Sequence, residues 1–373
     1  MFYSDRSRRL APWSWLAVLA AACGGSAGSG GIPRDGNPGL GEIGSADASQ
    51  SDGAGPPGPA SDASASAEDA GEDVTFPSSD DASSQTPGEA EVGDFTDGAA
   101  SCVMTFPPAT DFGSPGPYDV AIDCSPPTSI TADGSGCTIY HPTSMGQDGL
   151  KHPVIVWGNG TAAPPECNGD AHVFGEYDYL LNQWASQGFI VAAANTDSTG
   201  SGADMLDCLN WVEQQNSVPG SIYEGVVDVG NYGSSGHSQG GASAINVGED
   251  PRIHATEPFM PYTIGGGFSY DSSAPTKQHG PMFLGSGGMD TIATPSTNQQ
   301  PVFTASTVPT FWGTLLSADH VTFAGGTQTD WLAPSTAWFR LFLMCDESAR
   351  PMFYGPSCTL CTDSKWTVQR KDI

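Results

Sequence analysis

Basic residues are scarce in this chain: 12 Lys and Arg stand against 42 Asp and Glu, a formal net charge of -30. A surface that acidic repels phosphates, which argues against nucleic acid as a partner. Large apolar residues are almost missing from Gly24 to Ala100, which is Gly, Ser, Ala, Pro and Asp with about fifteen acidic side chains and one basic residue, Arg34. Such a segment cannot bury enough apolar surface to offset its ordering entropy, so disorder is expected, with a role as a self-repelling tether. It also carries much of the negative charge, so the low pI says little about any active site. Long hydrophobic runs are wanting too. The run Leu10 to Ala22 is too short to span a bilayer and, following Arg6, Arg8 and Arg9, reads as a signal peptide. No second Cys pair or His pair accompanies Cys358-x-x-Cys361, which leaves a zinc site without support. No metal or cofactor is expected.

The apolar run ends in Leu19-Ala20-Ala21-Ala22-Cys23-Gly24. It resembles a bacterial lipobox, in which Cys23 would be lipidated and become the mature N-terminus; the alternative is plain signal cleavage near Ala22 with an incidental Cys. The expected organisation is a signal peptide over 1–22, a lipidated Cys and acidic linker over 23–100, and a folded domain over 101–373. The protein is expected to be exported, monomeric, and associated with membrane only through that anchor. Setting Cys23 aside, eight Cys remain, an even number that favours disulfides in an exported chain. Eight Cys allow 105 connectivities. Local pairing favours Cys124 with Cys137, and Cys345 with Cys358 or Cys361.

From Ser101 onward strand and helix patterns alternate, the signature of an α/β fold with a mostly parallel sheet covered by helices on both faces. Tyr118 to Ile122 and Cys137 to Tyr140 read as an antiparallel pair, and Pro153 to Trp157 as a central strand broken by Gly158-Asn159-Gly160. Tyr177, Leu180, Leu181 and Trp184 recur at helical spacing before the strand Phe189 to Ala193, and Met205, Leu206, Leu209 and Val212 mark the next helix. Further strands are expected near Val229 to Ser235, Ile253 to Phe259, Met282 to Leu284 and Thr310 to Leu316, and a last helix over about Ser335 to Met344.

Gly236-His237-Ser238-Gln239-Gly240 matches Gly-x-Ser-x-Gly, the sequence of a nucleophile elbow when it joins a strand to a helix. The pattern alone is weak, since it recurs at Gly24 to Gly28, and its setting between strand and helix must carry the weight. A serine nucleophile needs a base and an orienting acid, which follow it in the order Ser, acid, His in this architecture. His320, after the strand Thr310 to Leu316, is the one His late enough to follow a separate acid strand. Asp290, behind Met282 to Leu284 and a Gly287-Gly288 turn, is the expected acid; its rival Asp319 adjoins His320 and points elsewhere. The intervals of 52 residues from Ser238 to Asp290 and 30 from Asp290 to His320 leave no room for a lid domain, so an open cleft is expected. The oxyanion donors are expected to be the main-chain N–H groups of Gln239 and Asn159.

Several ordered blocks now converge: Gly116-Pro117-Tyr118, Thr138 to Thr143, Trp157-Gly158-Asn159, Gln187 to Val191, Asn195 to Thr199, Gly236 to Gly241, Met289 to Ala293 and Asp319-His320. Over about residues 117 to 350 the chain resembles the poly(ethylene terephthalate) hydrolase and cutinase-like polyesterases, of α/β-hydrolase fold. The resemblance implies a serine ester hydrolase acting on esters or polyesters, with Ser238, Asp290 and His320 as the triad and Asn159 and Gln239 as the oxyanion hole. It also implies substrate contacts at Tyr262, His237 and Ile292. The family often has an aromatic residue in place of Asn159 and Met in place of Gln239, so a more polar acyl pocket is expected. Rival readings are an esterase for small or carbohydrate-linked esters, and an idle fold serving as a binding module. His141, His152, His172, Trp312 and Trp331 are expected to be structural or surface groups.

Overall fold

The computed structural model describes residues 105–109, 111–161, 166–168, 171–173 and 175–373. The signal peptide, Cys23 and the acidic linker lie outside the described residues. In chain order the described strands are β1 (Val120–Asp123), β2 (Cys137–Pro142), β3 (His152–Gly158), β4 (Glu166–Asn168), β5 (Ala171–Val173), β6 (Ile190–Ala194), β7 (Val227–His237), β8 (Ile253–Phe259), β9 (Met282–Gly287), β10 (Thr310–Leu315) and β11 (Trp366–Lys371). The α-helices are α1 (Asp178–Ser186), α2 (Ala203–Gln215), α3 (Gln239–Val247), α4 (Gln299–Ala305), α5 (His320–Phe323), α6 (Leu332–Leu343) and α7 (Thr359–Thr362).

Nine strands form one sheet in the order β1-β2-β6-β3-β7-β8-β9-β10-β11, and β4 and β5 pair separately. The six strands from β6 to β10 in that order run parallel, while β1 and β2 at one edge and β11 at the other are antiparallel. A mostly parallel sheet with helical crossovers is the α/β-hydrolase architecture expected from the sequence. Its central strands are apolar on both sides because both faces are covered. In β3, Val154 and Val156 join the cluster holding Met205, Leu209 and Val212 of α2. Ile155 and Trp157 join the opposite cluster, with Leu180, Leu181 and Trp184 of α1 and Trp338 and Phe339 of α6.

β7 is poor in apolar residues for a packing reason. A Cβ on Gly233 would lie 2.6 Å from a Phe339 ring carbon of α6, and one on Gly236 would lie 2.2 Å from the Gly240 carbonyl oxygen in α3. Both helices therefore approach the strand backbone directly. The small residues between them bury their hydroxyls with partners: Ser234 Oγ donates to the Ala244 carbonyl at 3.0 Å, and Ser235 Oγ to that of Glu257 at 2.6 Å.

The expected disulfides are corrected. Cys137 lies on the α2 side of β2, where it bonds Cys208 of α2, and Cys124 bonds Cys167 of β4. Cys358 and Cys361, three residues apart at the start of α7, bond each other. Cys345 is disulfide-bonded as well, and so to neither of them. Sequence reading also missed β11, α4 and the β4–β5 pair. Of the residues set aside as structural, His152 is fully buried between the Gly146 N–H, which donates to its Nε2, and the Gly188 carbonyl, which accepts from its Nδ1 at 2.7 Å. His141, Trp312 and Trp331 are buried too, while the His172 side chain lies outside what is described.

Candidate active site

Ser238 stands in the turn between β7 and α3 with φ 58° and ψ -120°, a strained conformation for a residue with a side chain. The strain is held by neighbours on both sides: its N–H donates to the Phe259 carbonyl at 3.0 Å, and its carbonyl accepts from the Tyr262 N–H at 2.9 Å. Glycine is required where the turn closes, since a Cβ on Gly240 would lie 2.1 Å from the Gly158 carbonyl oxygen. This is the nucleophile-elbow geometry that the pentapeptide led one to expect.

The fold brings the other two residues to it from separate crossovers. His320 opens α5, the short helix after β10, and its Nε2 lies 2.9 Å from Ser238 Oγ. Its Nδ1–H donates to Asp290 Oδ2 at 2.7 Å. Asp290 follows β9, and its other oxygen accepts the N–H groups of Ile292 and Ala293, each at 2.8 Å. With its side chain fully buried and both oxygens engaged, Asp290 has one orientation available. Asp319 is occupied elsewhere: its carboxylate caps α5 by accepting from the N–H groups of Val321 and Thr322.

Gln239 is the first residue of α3, so its N–H has no acceptor within the helix, and Asn159 lies just beyond β3 on the facing loop. Their side chains do not face the cleft, which corrects the expected polar acyl pocket. Both residues are fully buried. Asn159 Nδ2 donates to the carbonyls of Ala194 and Thr196 at 2.6 and 3.1 Å, and its Oδ1 accepts from Trp157 Nε1 at 2.8 Å. Gln239 Nε2 donates to the Asp197 carbonyl. The NH2 groups of the two amides therefore bond main-chain carbonyls of residues 194–197 and hold that segment against the elbow.

Tyr262 is half-buried, with Phe268 edge-on at 6.0 Å, and Ile292 is half-buried beside Asp290. His237, in contrast, is only 3% exposed. It lies beneath the His320 ring, with centroids 4.7 Å apart, and burial with His320 nearby holds it neutral, well below the usual histidine range. Its Nδ1 is 3.0 Å from the hydroxyl of Tyr177. The sequence marked Tyr177 only as part of an apolar helical face, and nothing in its spacing distinguishes it from Leu180 or Trp184.

A nucleophile hydroxyl, an imidazole and a carboxylate in this chain can move one proton from serine to histidine and stabilise the imidazolium that results. The comparisons point the same way. The chain is 28% identical over 237 residues, 61% of its own length and 68% of the other's, to a bis(hydroxyethyl) terephthalate hydrolase of Streptomyces coelicolor. The family described as PET hydrolase-like matches residues 112–360, well over half of the sequence and the whole of the segment that carries Ser238, Asp290 and His320. The chain belongs to the PET hydrolase-like family.

Proposed function

We propose that this carboxylic ester hydrolase works through an acyl-enzyme on Ser238. The observation that carries the reading is the unbroken line Ser238 Oγ, His320 Nε2, His320 Nδ1 and Asp290 Oδ2, with separations of 2.9 and 2.7 Å. His320 takes the Ser238 proton as Oγ attacks the ester carbonyl, and the Asn159 and Gln239 N–H groups receive the developing oxyanion. His320 then gives its proton to the departing alcohol, and water, deprotonated by the same imidazole, releases the acid. Asp290 orients His320 and stabilises its charge.

The substrate class is a polyester or its small ester fragments. Support comes from the relative named for a terephthalate diester, and from the short connections among the three residues, which leave the cleft without an inserted lid. The basic and apolar leader followed by Cys23 supports export with a lipid tether, which the mass of the mature N-terminal peptide tests. The full chain, given bis(hydroxyethyl) terephthalate, p-nitrophenyl butyrate and a polyester film, should cleave both small esters and erode the film. Cleavage of small esters alone would make it a small-ester esterase, and inactivity on all three would make it a binding module.

A further inference from the structure

Tyr177 is fully buried, and two pieces of the site meet at its hydroxyl. The main-chain N–H of Gly160, on the loop that carries Asn159, donates to it at 3.3 Å. His237 Nδ1, next to the nucleophile in sequence, lies 3.0 Å away. The convergence is tight, since a Cβ on Gly160 would be 2.8 Å from the Tyr177 oxygen, 3.1 Å from His237 Nδ1 and 3.3 Å from Ser238 Cβ. With the phenol oxygen accepting from Gly160, its own proton is free to bond His237 Nδ1. In that arrangement His237 carries its hydrogen on Nε2, an atom buried without a hydrogen-bond partner. The His237 ring in turn packs against the rings of His320 and Phe323, with centroids 4.7 and 4.8 Å away.

We propose that Tyr177 is a positioning residue for ester hydrolysis: through one hydroxyl it ties the oxyanion loop at Gly160 to His237, the ring on which the base His320 rests. Locked in a single neutral tautomer, His237 gives His320 a fixed and uncharged support. A His237 cation would repel the imidazolium that forms on His320 as Ser238 attacks. Burial favours the neutral ring and keeps the phenol protonated, so both partners hold the states this bond needs. Tyr177 touches no reacting atom and acts through Gly160 and His237. The inference rests on the serine mechanism proposed above.

The test compares the full chain with its Tyr177→Phe, Tyr223→Phe and Ser238→Ala variants on p-nitrophenyl butyrate, together with side-chain 15N spectra of His237. Losing the bond and the alignment it imposes should lower kcat about tenfold in Tyr177→Phe with KM within about twofold, at an unchanged circular dichroism spectrum. The His237 resonances should change from one fixed tautomer to an exchanging pair. Tyr223→Phe removes an equally buried hydroxyl, bonded to Asp123 at 2.8 Å, and should leave both constants unaltered. A kcat loss no larger than that of Tyr223→Phe, or an unchanged His237 tautomer, overturns the proposal while an inactive Ser238→Ala leaves the serine mechanism standing. Full activity in Ser238→Ala overturns both.

Discussion

Glu257 should make this protein less stable as the pH rises, and its replacement by Gln should remove that loss. The carboxyl is fully buried in β8, facing α1 and α6. Ser335 Oγ donates to Oε2 at 2.6 Å and itself accepts from Trp184 Nε1 at 2.9 Å, while Oε1 has no partner. No cation is bonded to either oxygen among the described residues, so burial pushes the carboxyl well above its ordinary value of 4.5. The native state then holds a proton that the unfolded chain releases. Below the ordinary carboxyl value both states are protonated and stability does not change. As the pH climbs from there toward the raised native value, stability falls by about 1.4 kcal/mol per pH unit. Gln keeps the shape and the acceptor for Ser335 but does not titrate. Glu257→Gln should therefore gain on the parent as the pH rises above the ordinary carboxyl value, by about 1.4 kcal/mol for each pH unit over which the native carboxyl stays protonated. Urea unfolding of both proteins at pH 5, 6 and 7 measures the difference. Parallel pH profiles would refute the reasoning, since they would mean that Glu257 titrates alike in both states.

Two further substitutions probe the site. Asp290→Asn should preserve the fold, because the Ile292 and Ala293 N–H groups keep their acceptor, yet lower kcat by about 10⁴ through loss of the His320 tautomer, with KM little changed; a loss under tenfold in steady-state kinetics would contradict the assigned acid. Gly240→Ala places a Cβ 2.1 Å from the Gly158 carbonyl and must part the elbow from the oxyanion loop. It should cost about 3 kcal/mol or more in denaturant unfolding and most of the activity, and a parent-like midpoint would show that the approach is not tight.

The elements that the sequence made plain are those whose burial is two-sided or strictly periodic. The run in β3 reads as a central strand because Val154 and Val156 serve one face and Ile155 and Trp157 the other. α1 is legible from four apolar residues at helical spacing. β7 is nearly silent for the opposite reason: its core partners are the Phe339 ring and the α3 backbone, which require Gly and Ser in the strand itself. Ser238, Asp290 and His320 could be named because the order and intervals of three loops are fixed by the crossovers that carry them. Side-chain direction was not legible. Asn159 and Gln239 look like polar substitutions in an acyl pocket until their amides are found bonded to carbonyls of residues 194–197. Tyr177 and Glu257 are likewise polar groups in apolar positions, and only tertiary contacts reveal their partners. Disulfide pairing failed because Cys137 pairs across the sheet face to α2 rather than along the chain.

The most direct test of the account is the mass of the full chain quenched within milliseconds of mixing with p-nitrophenyl butyrate, beside Ser238→Ala. The account predicts a butyryl adduct in the parent, mapped to the peptide containing Ser238, with a nitrophenol burst equal to the enzyme concentration, and neither adduct nor burst in the variant. An adduct mapped to a peptide without Ser238, or a variant that hydrolyses the ester at the parental rate, would contradict the serine acyl-enzyme outright.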